Sequence, residues 1–263
     1  MNQVIVAKHL KRQFAVKNEE GRNETLTVLN DFNLSVNEGE FLTVLGPSGC
    51  GKSTFLNILA GLDKQTSGQI KVEGALLNGV NRNIGVVFQG YALFPWRSVL
   101  DNVAAGLEIR GVKKKKRKEI AENYLDRVGL KKFALRYPHE LSGGMRQRVA
   151  IARALAYNPA ILLMDEPFAA LDAQTREMLQ LELLRIWEVE KKTVLFVTHS
   201  IDEAIFLGDR VAVMTSRPAK VKEIVPITLP RNRTVDMRNA NEFSEIRKYL
   251  WSLIKDEVVN SLQ

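Results

Sequence analysis

The sequence predicts an α/β fold on a mostly parallel sheet, with a β-rich N-terminal part and an α-helical subdomain inserted at about residues 90–160. Three observations predict it. A glycine-rich loop, residues 46–54, stands between an apolar strand pattern and a helix pattern. A strongly apolar run at 160–164 reads as a strand buried on both faces, as parallel sheets require, and 193–198 reads as another buried strand. Strand and helix patterns also alternate through the second half, which implies right-handed crossovers around one sheet.

Residues 1–45 alternate in a strand-like way, with candidate strands at 4–7, 25–29 and 32–36. The polar stretch 17–24, carrying Gly21, reads as a surface loop. Residues 41–45 form the strand before the glycine loop, and 55–60 open the helix after it. Residues 69–72 and 84–88 are further strands. Helical patterns follow at 99–109, 118–128 and 145–156, with Ala121, Leu125 and Val128 on one face. Ser142 is placed to cap the third of these helices. Beyond the strand at 160–164 come a helix at 175–189, strands at 193–198 and 210–214, and a closing amphipathic helix at 243–258.

The loop Gly46-Pro47-Ser48-Gly49-Cys50-Gly51-Lys52-Ser53-Thr54 fits G-x-x-x-x-G-K-[ST] in the strand–loop–helix setting that the motif needs. Glycines let successive backbone N–H groups turn inward on one anion, and the helix start adds its partial positive charge. Lys52 is then expected on the β- and γ-phosphates of a nucleotide and the Ser53 hydroxyl on Mg²⁺. The strand at 160–164 ends in Asp165-Glu166, where ligands of a parallel sheet bind. Asp165 is expected to hold Mg²⁺ through the metal's water shell, and Glu166 to polarise an attacking water. Taken alone, the acidic pair reads equally well as a solvated turn.

The chain has 263 residues, enough for one large α/β domain or two small ones. No apolar run is long enough to cross a bilayer, and residues 1–6 lack the pattern of a signal peptide, so a cytoplasmic location is expected. The single cysteine, Cys50, excludes an internal disulfide and is expected to make the loop sensitive to thiol reagents. A net charge of +8 points to an anionic partner. The densest basic run, Lys113 to Lys118, reads as a solvated loop and helix start, then as a membrane-surface contact. Nucleic acid ranks behind these, since no aromatic residue interleaves with the lysines to stack on bases.

Leu141-Ser142-Gly143-Gly144-Met145, followed by Arg146-Gln147-Arg148, resembles the signature sequence of the ATP-binding-cassette ATPases. The other family elements stand in matching order. Gln89 is similar to the Q-loop glutamine, 161–166 to the Walker B strand and its glutamate, Ala170-Leu171-Asp172 to the D-loop, and His199 to the switch histidine. Phe14 takes the place of the aromatic that stacks on adenine. Read singly, Phe14 fits a core position, Gln89 a surface amide and His199 a helix cap. The resemblance covers essentially the whole chain. It implies a P-loop NTPase fold of RecA-like type in which the N-terminal β subdomain is antiparallel.

The resemblance further implies that two chains pair head to tail with two ATP molecules between them. Ser142, Gly143 and Gly144 of one copy then complete the site built on Lys52 of the other, beside the D-loop Asp172. His199 holds the γ-phosphate, while Gln89 ligates Mg²⁺ and reports nucleotide state to the segment that follows. That segment, Tyr91-Ala92-Leu93-Phe94-Pro95-Trp96, is expected either in the core or as the groove for two transmembrane permease subunits, with Phe94 and Trp96 as anchors. This places the chain on the cytoplasmic face of the inner membrane, working indirectly with an exported substrate-binding protein. Leu93-Phe94-Pro95-Trp96 and Thr215-Ser216-Arg217-Pro218-Ala219 look like stretches of the nitrate, sulfonate, taurine and bicarbonate importer ATPases. Two other classes fit less well. A soluble cassette acting on nucleic acid or ribosomes would suit the basic charge but lacks a second cassette or a coiled-coil insertion. A regulatory module without turnover is disfavoured because both hydrolytic positions, Glu166 and His199, are filled.

Overall fold

A computed structural model describes residues 2–17 and 21–260. The first two strands, β1 (Gln3–Lys17) and β2 (Asn23–Asn37), pair antiparallel along their length. The stretches 25–29 and 32–36 therefore belong to one strand, not two. The break between them is a β-irregularity: His9 (φ 50°) and Asp31 (φ 49°) both adopt the left-handed conformation, and His9 Nδ1 lies 2.7 Å from Asp31 Oδ1. Of the expected loop 17–24, residues 18–20 lie outside the described residues, while Lys17, Asn23 and Glu24 belong to the strands.

The chain continues through β3 (Phe41–Leu45), α1 (Lys52–Leu59), β4 (Ser67–Val72) and β5 (Ala75–Leu76). Next come β6 (Ile84–Val87), α2 (Val99–Ile109), α3 (Lys114–Arg127), α4 (Gly143–Ala156), β7 (Ile161–Asp165) and α5 (Ala173–Glu190). It closes with β8 (Thr193–Thr198), α6 (Ile201–Leu207), β9 (Arg210–Met214), β10 (Val221–Pro226) and α7 (Asn241–Asn260). Most of the expected elements are present within a few residues. α3 starts at Lys114 instead of 118, so most of the basic run is helical. Its Lys113, Lys114 and Lys115 are exposed.

The chain divides into two compact units, residues 1–81 with 191–263, and residues 82–190. In the first, β2, β1, β4 and β5 form an antiparallel sheet in that order. A second sheet has β3 at its centre, parallel to both β8 and β9, with β10 antiparallel along β9. All residues of β3 and β8 are buried, which accounts for their mainly apolar sequence; the hydroxyl of Thr43, at the centre of β3, donates to the Ala204 carbonyl at 3.2 Å. Polar links hold the sheet's base. Arg210 Nη2 donates to Glu40 Oε2 at 2.9 Å, and the Phe41 N–H donates to Asp209 at 3.0 Å.

α6 has only seven residues, too few to persist unaided. It is held at both ends. Ser200 caps its start by accepting from the Glu203 N–H. At its end the Arg233 guanidinium, buried to 7% exposure, donates to the carbonyls of Ile205 (3.0 Å), Phe206 (2.8 Å) and Gly208 (2.8 Å). A cation at a helix C-terminus meets both the orphan carbonyls and the negative end of the dipole.

In the second unit β6 and β7 pair in parallel, Val87 opposite Met164. Helices α2, α3 and α4 pack on one another through buried Val103, Leu107, Ala121, Leu125, Val149 and Ala152.

Candidate nucleotide-binding site

Because β3 is parallel to β8 and β9, with Leu45 opposite Thr198 and Val213, three segments leave the sheet at one edge. They are the loop from Gly46, the turn at His199 and the turn after Met214. The loop needs its glycines. A Cβ on Gly46 would lie 3.0 Å from Cys50 Sγ and 3.1 Å from Met214 Cβ, and one on Gly51 would lie 2.8 Å from Val28 Cγ1. Gly49 (φ 74°) and Gly51 (φ 122°) are left-handed besides. Lys52 opens α1 with only 5% exposure, and its ammonium donates to the carbonyls of Gly46 and Pro47, both at 2.9 Å. Ser48, Gly49 and Ser53 are exposed on the loop, and Thr54 is half-buried. A buried cation inside a tight turn that ends in a helix start is chemically fitted to a polyphosphate.

Cys50 is buried, and burial pushes its thiol up despite the nearby Lys52 charge. The expectation of thiol sensitivity therefore fails for the folded chain, because little thiolate is available. Iodoacetamide should label the native chain slowly and the urea-unfolded chain much faster, by at least about tenfold; mass spectrometry of a time course checks this.

His199 is exposed at the turn between β8 and α6. The turn is braced by Thr198 Oγ1, which donates to Glu203 at 2.7 Å and accepts from the Ser200 N–H at 3.0 Å. Asp202 in the next turn receives Arg247 Nε of α7 at 2.6 Å. Phe14 lies half-buried in β1, opposite Leu26, with the Arg12 guanidinium 4.1 Å over its ring. That guanidinium is fixed in turn by two hydrogen bonds to Asp63.

In the second unit, the parallel register of β6 and β7 brings Gln89 and the pair Asp165-Glu166 out at the same strand ends. Asp165 is 7% exposed, Glu166 half-buried and Gln89 exposed. Glu166 has φ 44°, a left-handed backbone that costs a non-glycine residue about 1–2 kcal/mol. Such strain gathers at functional positions. Asp172 accepts the Thr175 N–H at 3.0 Å, and this bond holds its carboxyl below the usual range. Ser142 caps α4 as expected, accepting from the Met145 N–H at 3.3 Å.

The signature glycines touch other motif segments of the same unit. A Cβ on Gly143 would lie 3.1 Å from the Tyr91 hydroxyl, and one on Gly144 3.3 Å from Leu171. The segment 91–97 is a built loop. Asn102, wholly buried, accepts the Phe94 N–H at 2.8 Å and donates to the carbonyls of Phe94, Arg97 and Ser98. Arg153 donates to the carbonyls of Tyr91 and Ala92. Phe94 is half-buried with its ring 5.7 Å from that of Trp96, and Trp96 is 72% exposed, so it is not a core residue. Sequence reasoning missed Asn102 and Arg153, whose work is done on backbone carbonyls and leaves no pattern in the sequence. It also passed over Arg217 as anything beyond part of a subfamily stretch, although its Nη2 lies 3.7 Å from where a Gly49 Cβ would stand.

Known proteins resemble this chain over most of its length. A family model described as ABC transporter matches residues 29–169. An uncharacterized ABC transporter ATP-binding protein of Methanocaldococcus jannaschii is 55% identical over 97% of this chain and 94% of its own length. A nitrate import ATP-binding protein of Synechocystis is 44% identical over 89% of this chain and 91% of its own. Among solved structures, the dimeric post-hydrolysis state of an ATP-binding cassette bound to ADP and Pi superposes with a TM-score of 0.75 at 35% identity. That likeness covers 86% of this chain and all of the other. The chain thus belongs to the ABC transporter family, as one of its ATP-binding subunits.

Proposed function

We propose that the chain is the ATP-hydrolysing subunit of an importer for a small anionic or zwitterionic solute of the nitrate, sulfonate, taurine and bicarbonate group. The loop 46–54, left-handed at Gly49 and Gly51, tight around Gly46 and carrying a buried Lys52, is the observation that carries the ATPase part. Relatives named for nitrate, aliphatic sulfonate and taurine import support the solute group.

In this reading Gly46 to Thr54 wrap the phosphates, Lys52 neutralises the β- and γ-phosphates, and Phe14 offers a ring face to adenine. Ser53, Gln89 and Asp165 are hard oxygen donors of the kind Mg²⁺ takes, and would hold it. Bound there, the metal would offset phosphate charge. Glu166 accepts a proton from the attacking water, and His199 steadies the γ-phosphate. Ser142, Gly143 and Gly144 serve the nucleotide of a second copy, next to its Asp172. Shared ligation makes closure of the pair depend on intact ATP, and hydrolysis releases it. The helical part at about 90–160 is read as an insertion in the ATP-binding core.

No helix of the described residues is long and apolar enough to cross a membrane. In the proposed assembly two permease subunits span the inner membrane, with the chain on its cytoplasmic face and an exported binding protein delivering solute. The exposed Trp96, on a loop fixed by Asn102 and Arg153, is the proposed anchor for a permease. Co-purification from detergent tests this. Trp96→Ala should lower recovery of the permease pair about tenfold or more while ATP affinity stays unchanged. Recovery of an intact complex would remove Trp96 from that role.

A further inference from the structure

The turn between β9 and β10 carries Arg217, an exposed cation with no hydrogen-bond or ion-pair partner among the described residues. Most exposed arginines sweep through solvent. This one stands on a turn that is tied down on three sides. The Thr215 N–H donates to the Lys220 carbonyl at 3.0 Å, and Thr215 Oγ1 accepts the Lys220 N–H at 3.1 Å, which closes the turn. Glu257 of α7 accepts both the N–H (2.9 Å) and the hydroxyl (3.0 Å) of Ser216, and Lys222 secures that carboxylate at 2.8 Å. Ala219 bridges β2, donating to the Val28 carbonyl at 2.8 Å and accepting the Asn30 N–H at 3.1 Å.

The same Val28 closes on the glycine loop, because its Cγ1 would meet a Gly51 Cβ at 2.8 Å. One residue of β2 therefore registers both the arginine turn and the phosphate loop. The guanidinium reaches the loop, with Nη2 3.7 Å from where a Cβ on the exposed Gly49 would stand. Burial pushes the thiol of the next residue, Cys50, up, and the Arg217 charge is one of those that oppose the rise. Lys52 is buried and bonded to the loop's own carbonyls, whereas Arg217 is exposed and approaches the loop at Gly49.

We infer that Arg217 is a further phosphate-binding residue, adding a second cation to Lys52 at the nucleotide's polyphosphate chain. Its planar fork suits two oxygens of a phosphate, and the braced turn presents it with little ordering left to do on binding. This rests on the reading of residues 46–54 as the nucleotide loop.

Isothermal titration of ATP and ADP into the full chain, its Arg217→Ala and Arg217→Lys variants, and Lys52→Ala separates the two claims. Arg217→Ala should weaken both nucleotides about three- to tenfold, the range for a charge-assisted bond at an exposed site. Arg217→Lys should recover part of that loss. The dependence of affinity on salt should be shallower in Arg217→Ala, and the melting temperature without nucleotide should match wild type. Wild-type affinity in Arg217→Ala overturns the inference, and so does a nucleotide-free melting temperature low enough to account for the loss. In either case a weakened Lys52→Ala leaves the loop reading standing. Wild-type affinity in Lys52→Ala removes the loop reading and the inference with it.

Discussion

Glu166→Gln should bind ATP as the wild type does and hydrolyse it on the order of 10²–10⁴-fold more slowly, the range for loss of a general base. The amide keeps the size and the hydrogen-bonding reach of the side chain and removes only its ability to take a proton. Backbone geometry is also preserved, since glutamine meets the same cost at φ 44° as glutamate does. A chain that closes on ATP and cannot cleave it should stay closed. Size-exclusion chromatography with ATP should then show a persistent dimer, where the wild type shows one that decays. Phosphate release measured at saturating ATP decides the first half, and turnover at the wild-type rate would take Glu166 out of the mechanism.

Lys52→Ala is expected to act earlier, at binding. Loss of a charged donor to phosphate should weaken ATP about 10- to 100-fold, and the ATP-dependent elution shift should vanish. A second effect comes from the empty protein. The carbonyls of Gly46 and Pro47 lose the donor they share at 2.9 Å, so the variant should also be less stable by about 1–3 kcal/mol. Calorimetry without nucleotide reads the second effect and titration the first. An unchanged elution shift would count against the role given to Lys52.

The glycine loop and the strands around it were legible because each carries a strong local signal. β3 and β8 are buried throughout and are mainly apolar and β-branched, so 41–45 and 193–198 stand out at their true bounds. The N-terminal hairpin was harder. Asn30-Asp31 has turn chemistry, and Asp31 does adopt a left-handed backbone, yet the partner strand accommodates it at His9 and pairing resumes beyond. α6 escaped notice because seven residues, four of them buried in succession, show no helical period. β10 pairs along β9 alone and ends in Pro226, and only the strand beside it reveals it. α3 was started late because lysines at a helix's positive end oppose its dipole, which local reasoning penalises. Arg217 was visible only through β2, nearly two hundred residues earlier in the chain.

Arg233 carries one more consequence. It sits beyond the last sheet strand, yet it clasps the short helix that begins two residues after His199. Arg247, further along, grips the front of that helix through Asp202. Anyone shortening this protein for crystallisation or fusion should therefore treat the stretch from 229 to 258 as scaffolding for the histidine turn. A trimmed version could keep its sheet and its glycine loop and still lose the fixed backbone on which His199 stands.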